Sequence, residues 1–555
     1  MTDFDVCIIG SGAGGGPVAW SLAQAGRAVV VLEKGPWLRE ADFPKDEITV
    51  VRREAFVPAR CDEPQVVELS DGAGGFDAWP TPETGWQFAN GSLVGGATNL
   101  MSGFFHRMKP IDFRLRSEFG PVEGADVVDW PLDLEALEPW YDRVERVVGV
   151  SGRVVAHPFA DRRSSPDFPL PPLAEHPIAG WIDEVGAARG LHPFPIPRAV
   201  LSVPRPGRGV CTYTGFCGGY GCASGAKGSA RAAFLEPAVA TGRCEVRARA
   251  QVTRLESDTR GRVTHAVYRD AAGAERRVSA RHFVVACQPI ETARLLLRSV
   301  GPAHPAGLAN RSGRVGQHLL FSTPAFAWGA LRLDQLPPGR REALMDRQPF
   351  VHRALQDWYV IDDPVLGRRK GGTIDFLLQH ANPIRRAQGA MYQEGRVAWG
   401  EGLRERVRDR FRGQRQLELE VFADWMPTPD SRVSLDPEVH DRHGERVARV
   451  RIGKHPHNLA AATYLAERGA EVLRALGCAD VRLRHSGLPA TNLVAGGCRF
   501  GRDPAQSVLD ADCRAHTAEN LYVTDGSFMP TGGSVPYTFT VYANALRVAD
   551  RIAAA

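Results

Sequence analysis

The chain has 555 residues, of which 43% are hydrophobic and 24% charged, and its formal net charge is +4 at pH 7. This composition is typical of a globular protein with room for two domains, and so small a charge argues against a nucleic-acid partner. No apolar run is long enough to span a membrane. The first strand also begins too early to leave room for a signal peptide. The sequence therefore predicts a cytoplasmic location.

Residues 1–35 have the pattern of a dinucleotide-binding unit. The apolar run 6–9 ends in Gly10-x-Gly12-x-x-Gly15, and a second apolar run ends in Glu33. The first glycine allows a tight turn, the second lets a diphosphate approach the backbone, and the third lets helix and strand pack closely. An acid at the position of Glu33 can accept hydrogen bonds from ribose hydroxyls. We interpret the unit as a nucleotide site, against the alternative of a glycine-rich turn without a ligand.

Residues 38–85 are irregular and rich in Pro, Gly and acids, and we expect loops or a lid over a site there. In the segment 86–99, Gly95 and Gly96 precede small and amide residues, which favours either backbone packed on a flat ligand or an ordinary surface turn. Strand-like segments and a helix over 459–476 predict an antiparallel sheet in a second domain. Near the C-terminus, a strand ends in Asp525-Gly526, a pair that can bind sugar hydroxyls or lie near a diphosphate.

Three of the ten cysteines lie close together in the sequence. Cys211, Cys217 and Cys222 are separated by small residues and glycines. Glycines let a loop wrap around a compact object, and thiolates favour soft metals and iron–sulfur clusters. From the spacing alone, a three-iron cluster, a zinc site with a fourth ligand and free thiols all remain open.

The whole pattern resembles the glucose–methanol–choline (GMC) flavin oxidoreductases. The N-terminal unit, the Gly95-Gly96 segment and the block 520–550 carry the resemblance, which covers nearly the whole chain. Asp129-Trp130-Pro131 and Phe528-Met529-Pro530-Thr531-Gly532-Gly533 make the chain most similar to the flavoprotein subunits of bacterial gluconate, sorbitol and fructose dehydrogenases. The resemblance implies an enzyme that oxidises an alcohol of a sugar, polyol or sugar-derived compound by hydride transfer to FAD.

The resemblance also implies an α/β fold: a Rossmann-like FAD-binding domain built from discontinuous segments, and an α+β substrate domain with an antiparallel sheet. The expected segments are 1–150 (FAD domain, with loops at 38–85), 151–200 (linker and substrate domain), 201–320 (FAD domain, with the Cys-rich loop 211–222), 321–484 (substrate domain) and 485–555 (FAD domain and active-site segments).

Residues expected to hold FAD follow from the same resemblance. Those at the adenosine half are Gly10, Gly12, Gly15, Glu33 and, through a backbone contact to adenine, Val252. Those at the isoalloxazine, diphosphate and ribityl parts are Gly95, Gly96, Thr98, Asn99, Asp525 and Gly526.

The catalytic residues are where this sequence departs from the family pattern. The family usually has a His before a Gly-rich run and a His or Asn later, but here these positions fall on Leu493 or Asn492 and on Pro536, beside Tyr537. The candidates are therefore Asn492, which can orient the substrate hydroxyl, together with Tyr537 and His485. For His485 a solvated or structural histidine is the favoured alternative. A proton acceptor elsewhere in the substrate domain also stays open.

The resemblance assigns Cys211, Cys217 and Cys222 as ligands of a 3Fe-4S cluster that passes electrons from reduced FAD to an external acceptor. The alternatives are an oxidase that uses oxygen without a cluster, as in secondary metabolism, and a catalytically degenerate FAD-binding protein. The related dehydrogenases work beside a cytochrome subunit and a small chaperone-like subunit with an export signal. Co-export with such a partner would make the protein periplasmic.

Overall fold

The structure is a computed structural model that describes residues 2–88, 91–345, 351–378, 381–393, 396–485 and 487–555. Ala89 and Asn90, part of the segment 86–99 considered above, lie outside these ranges. Within the described ranges, no helix combines the length and apolar character that a membrane span requires.

Strands and helices alternate along the chain. In chain order the strands are β1 (Phe4–Ile9), β2 (Val29–Glu33), β3 (Val66–Ser70), β4 (Phe76–Pro80), β5 (Phe194–Pro195), β6 (Cys244–Ala248), β7 (Gln251–Ser257), β8 (Val263–Arg269), β9 (Glu275–Val285), β10 (Leu319–Arg332), β11 (Val351–Leu355), β12 (Val360–Asp363), β13 (Gly367–Lys370), β14 (Gly372–Leu378), β15 (Tyr392–Gln393), β16 (Arg396–Val397), β17 (Gln414–Asp424), β18 (Arg432–His440), β19 (Arg446–Ile452), β20 (Ala479–Arg484), β21 (Ala490–Gly496) and β22 (Leu521–Val523). The helices are α1 (Gly15–Gln24), α2 (Thr81–Thr84), α3 (Leu115–Phe119), α4 (Leu134–Val148), α5 (Pro177–Ala188), α6 (Glu236–Ala240), α7 (Pro289–Arg298), α8 (Pro338–Met345), α9 (Pro383–Met391), α10 (Gly400–Arg408), α11 (Pro456–Ala475) and α12 (Thr538–Ala554).

The nucleotide sheet has the strand order β6-β2-β1-β9-β8-β7, and β22 pairs with β9. Strands β6, β2, β1, β9 and β22 run parallel to their neighbours, whereas β7 and β8 extend the sheet in antiparallel fashion. Val29 to Leu32 are buried throughout, as expected for parallel strands covered on both faces. The predicted Rossmann-like domain, assembled from distant segments, is therefore confirmed.

The substrate sheet has the strand order β20-β10-β17-β14-β11-β5, with β21 also paired to β10. Its pairs are antiparallel, as predicted. Helix α11 covers one face: Leu419 and Val421 of β17 share a buried cluster with Ala462 and Leu465 of the helix. Because side chains alternate along a strand, the other face of β17 is free to form the wall of a site.

A third sheet corrects the expectation of loops over residues 38–85. Strands β3 and β4 lie in that segment and join β18 and β19 in the order β18-β19-β3-β4. Val66 and Val67 are buried in it. The expectation was wrong for these strands because β3 pairs in parallel with β19, far along the chain, so no local repeat reveals it. The segment 485–555 is also shared, since β21 joins the substrate sheet before β22 joins the nucleotide sheet.

Candidate active site

One cavity of about 720 Å³ is lined by residues of both large sheets. The residues of the sequence-predicted site that line it are Gly10, Gly12, Glu33, Gly96, Thr98, Val252, Asn492, Asp525, Gly526 and Tyr537. The structure therefore brings the candidate nucleotide residues and two of the three candidate catalytic residues to the wall of a single cavity.

The three glycines of the first turn have different surroundings. A Cβ atom on Gly10, whose φ is +92°, would lie 2.3 Å from the Ala286 carbonyl oxygen. On Gly15 it would lie 2.0 Å from the Gly10 oxygen. On Gly12 the nearest atom would be the Cα of Gly96, 3.9 Å away. Gly10 and Gly15 are therefore required by packing, whereas Gly12 presents bare backbone to the cavity.

Glu33 ends β2 with a buried carboxylate held by the backbone. Its Oε2 accepts hydrogen bonds from the Ser11 amide at 3.1 Å and from Ser11 Oγ at 2.5 Å, while Oε1 accepts one from the Gly35 amide at 2.9 Å. A carboxylate has about four lone-pair sites, so acceptor capacity remains for ribose hydroxyls. The Ala250 amide donates to the Glu33 carbonyl oxygen at 2.8 Å, which brings the start of β7, and with it Val252, to the same wall.

The Gly95-Gly96 segment packs directly against the first glycine turn. The Gly95 amide donates to Ser11 Oγ at 2.9 Å, and Thr98 Oγ1 donates to the Gly95 carbonyl oxygen at 2.5 Å. Asn99 Nδ2 donates to the carbonyl oxygens of Val94 and Gly96 at 3.0 and 2.9 Å. Since Thr98 and Asn99 are buried, the segment is part of the cavity wall and not a surface turn.

Asp525, just after β22, ties the C-terminal block to the start of α7. Its Oδ2 accepts hydrogen bonds from the Gln288 amide at 3.0 Å and from Thr292 Oγ1 at 2.5 Å, and its Oδ1 accepts one from the Ser527 amide at 2.9 Å. Burial raises the pKa of Asp525 above its usual range. The neighbouring Gly526 faces the same cavity.

The bare backbone at Gly12, the carboxylates of Glu33 and Asp525 and the glycines at 95–96 together fit FAD. They offer hydroxyl acceptors, room for a diphosphate next to the backbone, and a closely packed turn against which a flat ring can lie. Hydrogen bonds from the amides of Ser11, Gly35 and Gly95 already fix the Glu33 carboxylate and the two glycine turns in place.

The three candidate catalytic residues have different environments. Asn492 of β21 has an exposed side chain and lines the cavity. The Tyr537 hydroxyl donates to the Phe321 carbonyl oxygen at 2.5 Å, and burial raises the pKa of Tyr537 well above its usual value. Tyr537 is therefore a neutral donor at ordinary pH and not a base. His485 is exposed just beyond β20 and does not line this cavity.

Glu420 was missed in the sequence and lies on the cavity wall. Burial and the like charges of Asp375 and Glu418 raise its pKa to about 8. The signal that could have found it is the alternation Gln416-Leu417-Glu418-Leu419-Glu420. This pattern turns the acids away from the side packed on α11.

The Cys-rich loop touches the cavity through Gly218 and Gly219. Lys227 Nζ donates to the Gly218 carbonyl oxygen at 3.2 Å, and Lys45 Nζ donates to that of Phe216 at 3.1 Å. Burial opposes ionisation of Cys222, but the ammonium of Lys227 and hydrogen bonds hold the pKa of this thiol below its usual value. Burial raises the pKa of Cys211.

The Cys-rich loop brings its three thiols near one another, since Cys217 and Cys222 both act electrostatically on Cys211. In the part of the chain that the structure describes, no group of three His, Cys, Asp or Glu side chains is arranged to hold a metal ion. The arrangement of Cys211, Cys217 and Cys222 thus does not support the predicted 3Fe-4S cluster.

Comparisons with known proteins agree with this geometry. Residues 200–322 and 427–545 match the N- and C-terminal models of the GMC oxidoreductase family. The chain is 32% identical over 554 residues to 6'''-hydroxyparomomycin C oxidase of Streptomyces lividus, with 99% of this chain and 91% of that protein covered. It is 31% identical over 564 residues to 2-methyl-1,2-propanediol dehydrogenase of Mycolicibacterium austroafricanum, with 99% and 95% covered.

More distant similarities include the fructose dehydrogenase large subunit of Gluconobacter japonicus, 25% identical over 578 residues with 99% of this chain and 97% of that protein covered. Among solved structures, pyridoxine 4-oxidase from Mesorbium loti has a TM-score of 0.61 at 18% identity, with 99% of both chains covered. A formate oxidase has a TM-score of 0.64 at 15% identity, with 99% and 98% covered, and both structures show the shared fold. The chain belongs to the GMC oxidoreductases and is an FAD-dependent enzyme that acts on alcohol groups.

Proposed function

We propose that this enzyme oxidises an alcohol group of a sugar, polyol or sugar-derived compound. The observation that carries the proposal is the shared cavity: the Gly12 and Gly96 turns lie on the same continuous wall as Asn492 and Tyr537. Two relatives named above, the 6'''-hydroxyparomomycin C oxidase and the 2-methyl-1,2-propanediol dehydrogenase, support a hydroxylated substrate.

When bound, FAD supplies the acceptor for the hydride that leaves the alcohol carbon. The Asn492 amide offers both a donor and an acceptor, which suits it to orient a substrate hydroxyl. Tyr537, locked by its hydrogen bond to Phe321, shapes the wall beside it. Since Tyr537 is not a base and His485 lies outside the cavity, the alcohol proton passes to another group of the substrate sheet or to solvent.

Anaerobic titration of the purified flavoprotein with sugars, polyols and amino sugars tests this function. We expect at least one of these alcohols to bleach the visible absorbance of the flavin. Asn492→Ala should slow bleaching about 10- to 100-fold without changing flavin content, and His485→Ala should match the wild type. Bleaching by none of the alcohols would contradict the proposal, and so would equal rates in Asn492→Ala and the wild type.

The electron acceptor separates two versions of this function. We propose oxygen as the acceptor, because a relative named above, 32% identical over 554 residues, is an oxidase. The other version sends electrons through a 3Fe-4S cluster to a cytochrome subunit, and its partners and periplasmic location depend on that cluster.

Iron quantitation and low-temperature EPR on protein purified without air distinguish the two versions. We expect no iron, and hydrogen peroxide release that matches alcohol oxidation. An EPR signal of an oxidised three-iron cluster that is lost in Cys217→Ser, with dye reduction in place of peroxide, would establish the cluster-dependent dehydrogenase.

A further inference from the structure

Glu420 sits in the middle of the substrate sheet on the face opposite α11. In the pairing register, it lies opposite Asp375 of β14 on one side and Phe326 of β10 on the other. Residues paired across strands share a face of the sheet. Glu420 and Asp375 therefore form an acidic pair on the side of the sheet that borders the cavity.

Of the two carboxylates, Glu420 lacks a compensating cation among the described residues. Burial raises the pKa of Glu420, and so do the like charges of Asp375 and Glu418. Among the described residues, no cation acts on this carboxylate. Asp375 is fully buried, and its Oδ1 has no hydrogen-bond partner in the described chain. His106 Nε2 lies 3.3 Å from Oδ1 and 3.4 Å from Oδ2 of Asp375, and the buried Arg198 guanidinium also acts electrostatically on this carboxylate. A buried carboxylate without a partner is costly, so Glu420 keeps its proton in the free enzyme, and a cationic ligand group would favour its ionised form.

The acidic pair lies at a distance from the end of the cavity where oxidation is proposed. Tyr537 is anchored at Phe321, and the β21 bulge that holds Asn492 lies against Phe321 and Ser322 of β10. Glu420 is opposite Phe326, four residues further along β10 than Ser322. At about 3.3 Å per residue this separation is about 13 Å, which is comparable to the span of two linked sugar rings.

We propose that Glu420, with Asp375 behind it, recognises an ammonium group on the substrate, so that the enzyme selects an amino-sugar-like alcohol whose amine lies on the ring linked to the oxidised one. This inference rests on the proposed function and names its substrate class. Glu420 acts as a specificity residue here and not as the proton acceptor, because the strand register places it away from Asn492 and Tyr537.

Binding to the anaerobically reduced holoenzyme tests the proposal without any turnover. The probes are chitobiose, with two ammonium groups, and two neutral disaccharides, N,N'-diacetylchitobiose and cellobiose. Isothermal titration should show at least about tenfold tighter binding of chitobiose to the wild type. Glu420→Gln should abolish that preference, whereas Glu420→Asp, which keeps the charge, should retain part of it. Flavin content and circular dichroism verify that each variant is folded.

Glu467→Gln is the matched control, since Glu467 is an exposed residue of α11 on the opposite side of the same sheet. It should keep the full preference. Equal binding of the three probes, no binding of any, or an undiminished preference in Glu420→Gln would overturn the proposal. It would also fail if Glu420→Gln slowed flavin reduction equally for charged and neutral alcohols. Failure of every alcohol to bleach the flavin, with the binding preference intact, would refute the proposed function alone.

Discussion

The buried carboxylates at the nucleotide end and at the substrate end of the cavity differ in the hydrogen bonds that they receive. Glu33 receives three hydrogen bonds, two from Ser11 of the first glycine turn and one from the nearby Gly35. Glu420 receives none among the described residues and faces the like charge of Asp375. The first carboxylate is satisfied by the chain before any ligand binds, and the second is not.

The nucleotide end is thus organised for a resident group, and the substrate end for a ligand that comes and goes. A satisfied carboxylate keeps its position and costs little to bury. An unsatisfied one costs stability and gains a partner only when a substrate arrives. The four predictions below alter one end at a time, beginning with the largest expected effect.

Replacing Gly15 by Ala should be the most damaging change at the nucleotide end. Its Cβ would lie 2.0 Å from the Gly10 carbonyl oxygen, so strand and helix must separate. We expect a loss of about 3 kcal/mol or more in the free energy of unfolding, measured by denaturant titration. Gly12→Ala meets no atom within 3.9 Å and should keep the apo stability while weakening FAD binding.

Gly180→Ala in α5 is the control for both glycine variants, because no atom lies within 4 Å of its added Cβ. Its stability should stay the same or rise by about 0.5 kcal/mol. An unaltered free energy of unfolding in Gly15→Ala would show that the contact is not needed.

Removing the charge of Glu33 should disturb a satisfied carboxylate. Glu33→Gln weakens charge-assisted hydrogen bonds from Ser11 and Gly35, and we expect a loss of about 1.5–3 kcal/mol. FAD affinity, followed by fluorescence of released flavin, should also fall about tenfold, since an acceptor for the ribose is weakened. Glu245→Gln on the adjacent strand β6, whose carboxylate is exposed beside Arg247, should change neither quantity.

The opposite response is expected at Glu420, where removing the charge should stabilise the enzyme at high pH. The pKa of Glu420 is raised from 4.5 to about 8 in the fold, so the folded state holds a proton that the unfolded state releases. Stability of the wild type therefore falls as pH rises from about 4.5 to about 8 through this group. Melting temperatures of Glu420→Gln should equal those of the wild type near pH 4 and exceed them at pH 9.

The pH effect has its own control and its own contrary result. Glu467→Gln should follow the wild type at every pH, because Glu467 is exposed. A constant difference between Glu420→Gln and the wild type across the whole range would mean that Glu420 is not held in its neutral form.

Tyr537→Phe should have the smallest effect. It removes the hydrogen bond to the buried Phe321 carbonyl oxygen, and we expect a loss of about 1–2 kcal/mol in unfolding free energy. The maximal rate of flavin reduction should stay within a few-fold, because the hydroxyl is engaged with the backbone and is not a base. A rate loss of a hundredfold or more would instead place Tyr537 in proton transfer. Tyr522→Phe, for which the described chain shows no hydrogen bond at the hydroxyl, is the matched control.

The sequence by itself determined the nucleotide half. Gly10, Gly12, Gly15 and Glu33 lie within one strand–turn–helix–strand unit, where spacing alone dictates which backbone must be bare and where the acid falls. The family motifs extended this to FAD and to alcohol oxidation. These conclusions could be drawn from the sequence because the interactions involved are local in the chain.

Only the tertiary structure decided the substrate half. The pairing of β17 with β10 and β14 placed Glu420 beside Asp375 and on the cavity wall, and it left His485 outside. The parallel pairing of β3 with β19 was likewise decided between segments far apart in the chain. Pairing between segments far apart in sequence depends on the register of whole sheets, and no short motif records that register.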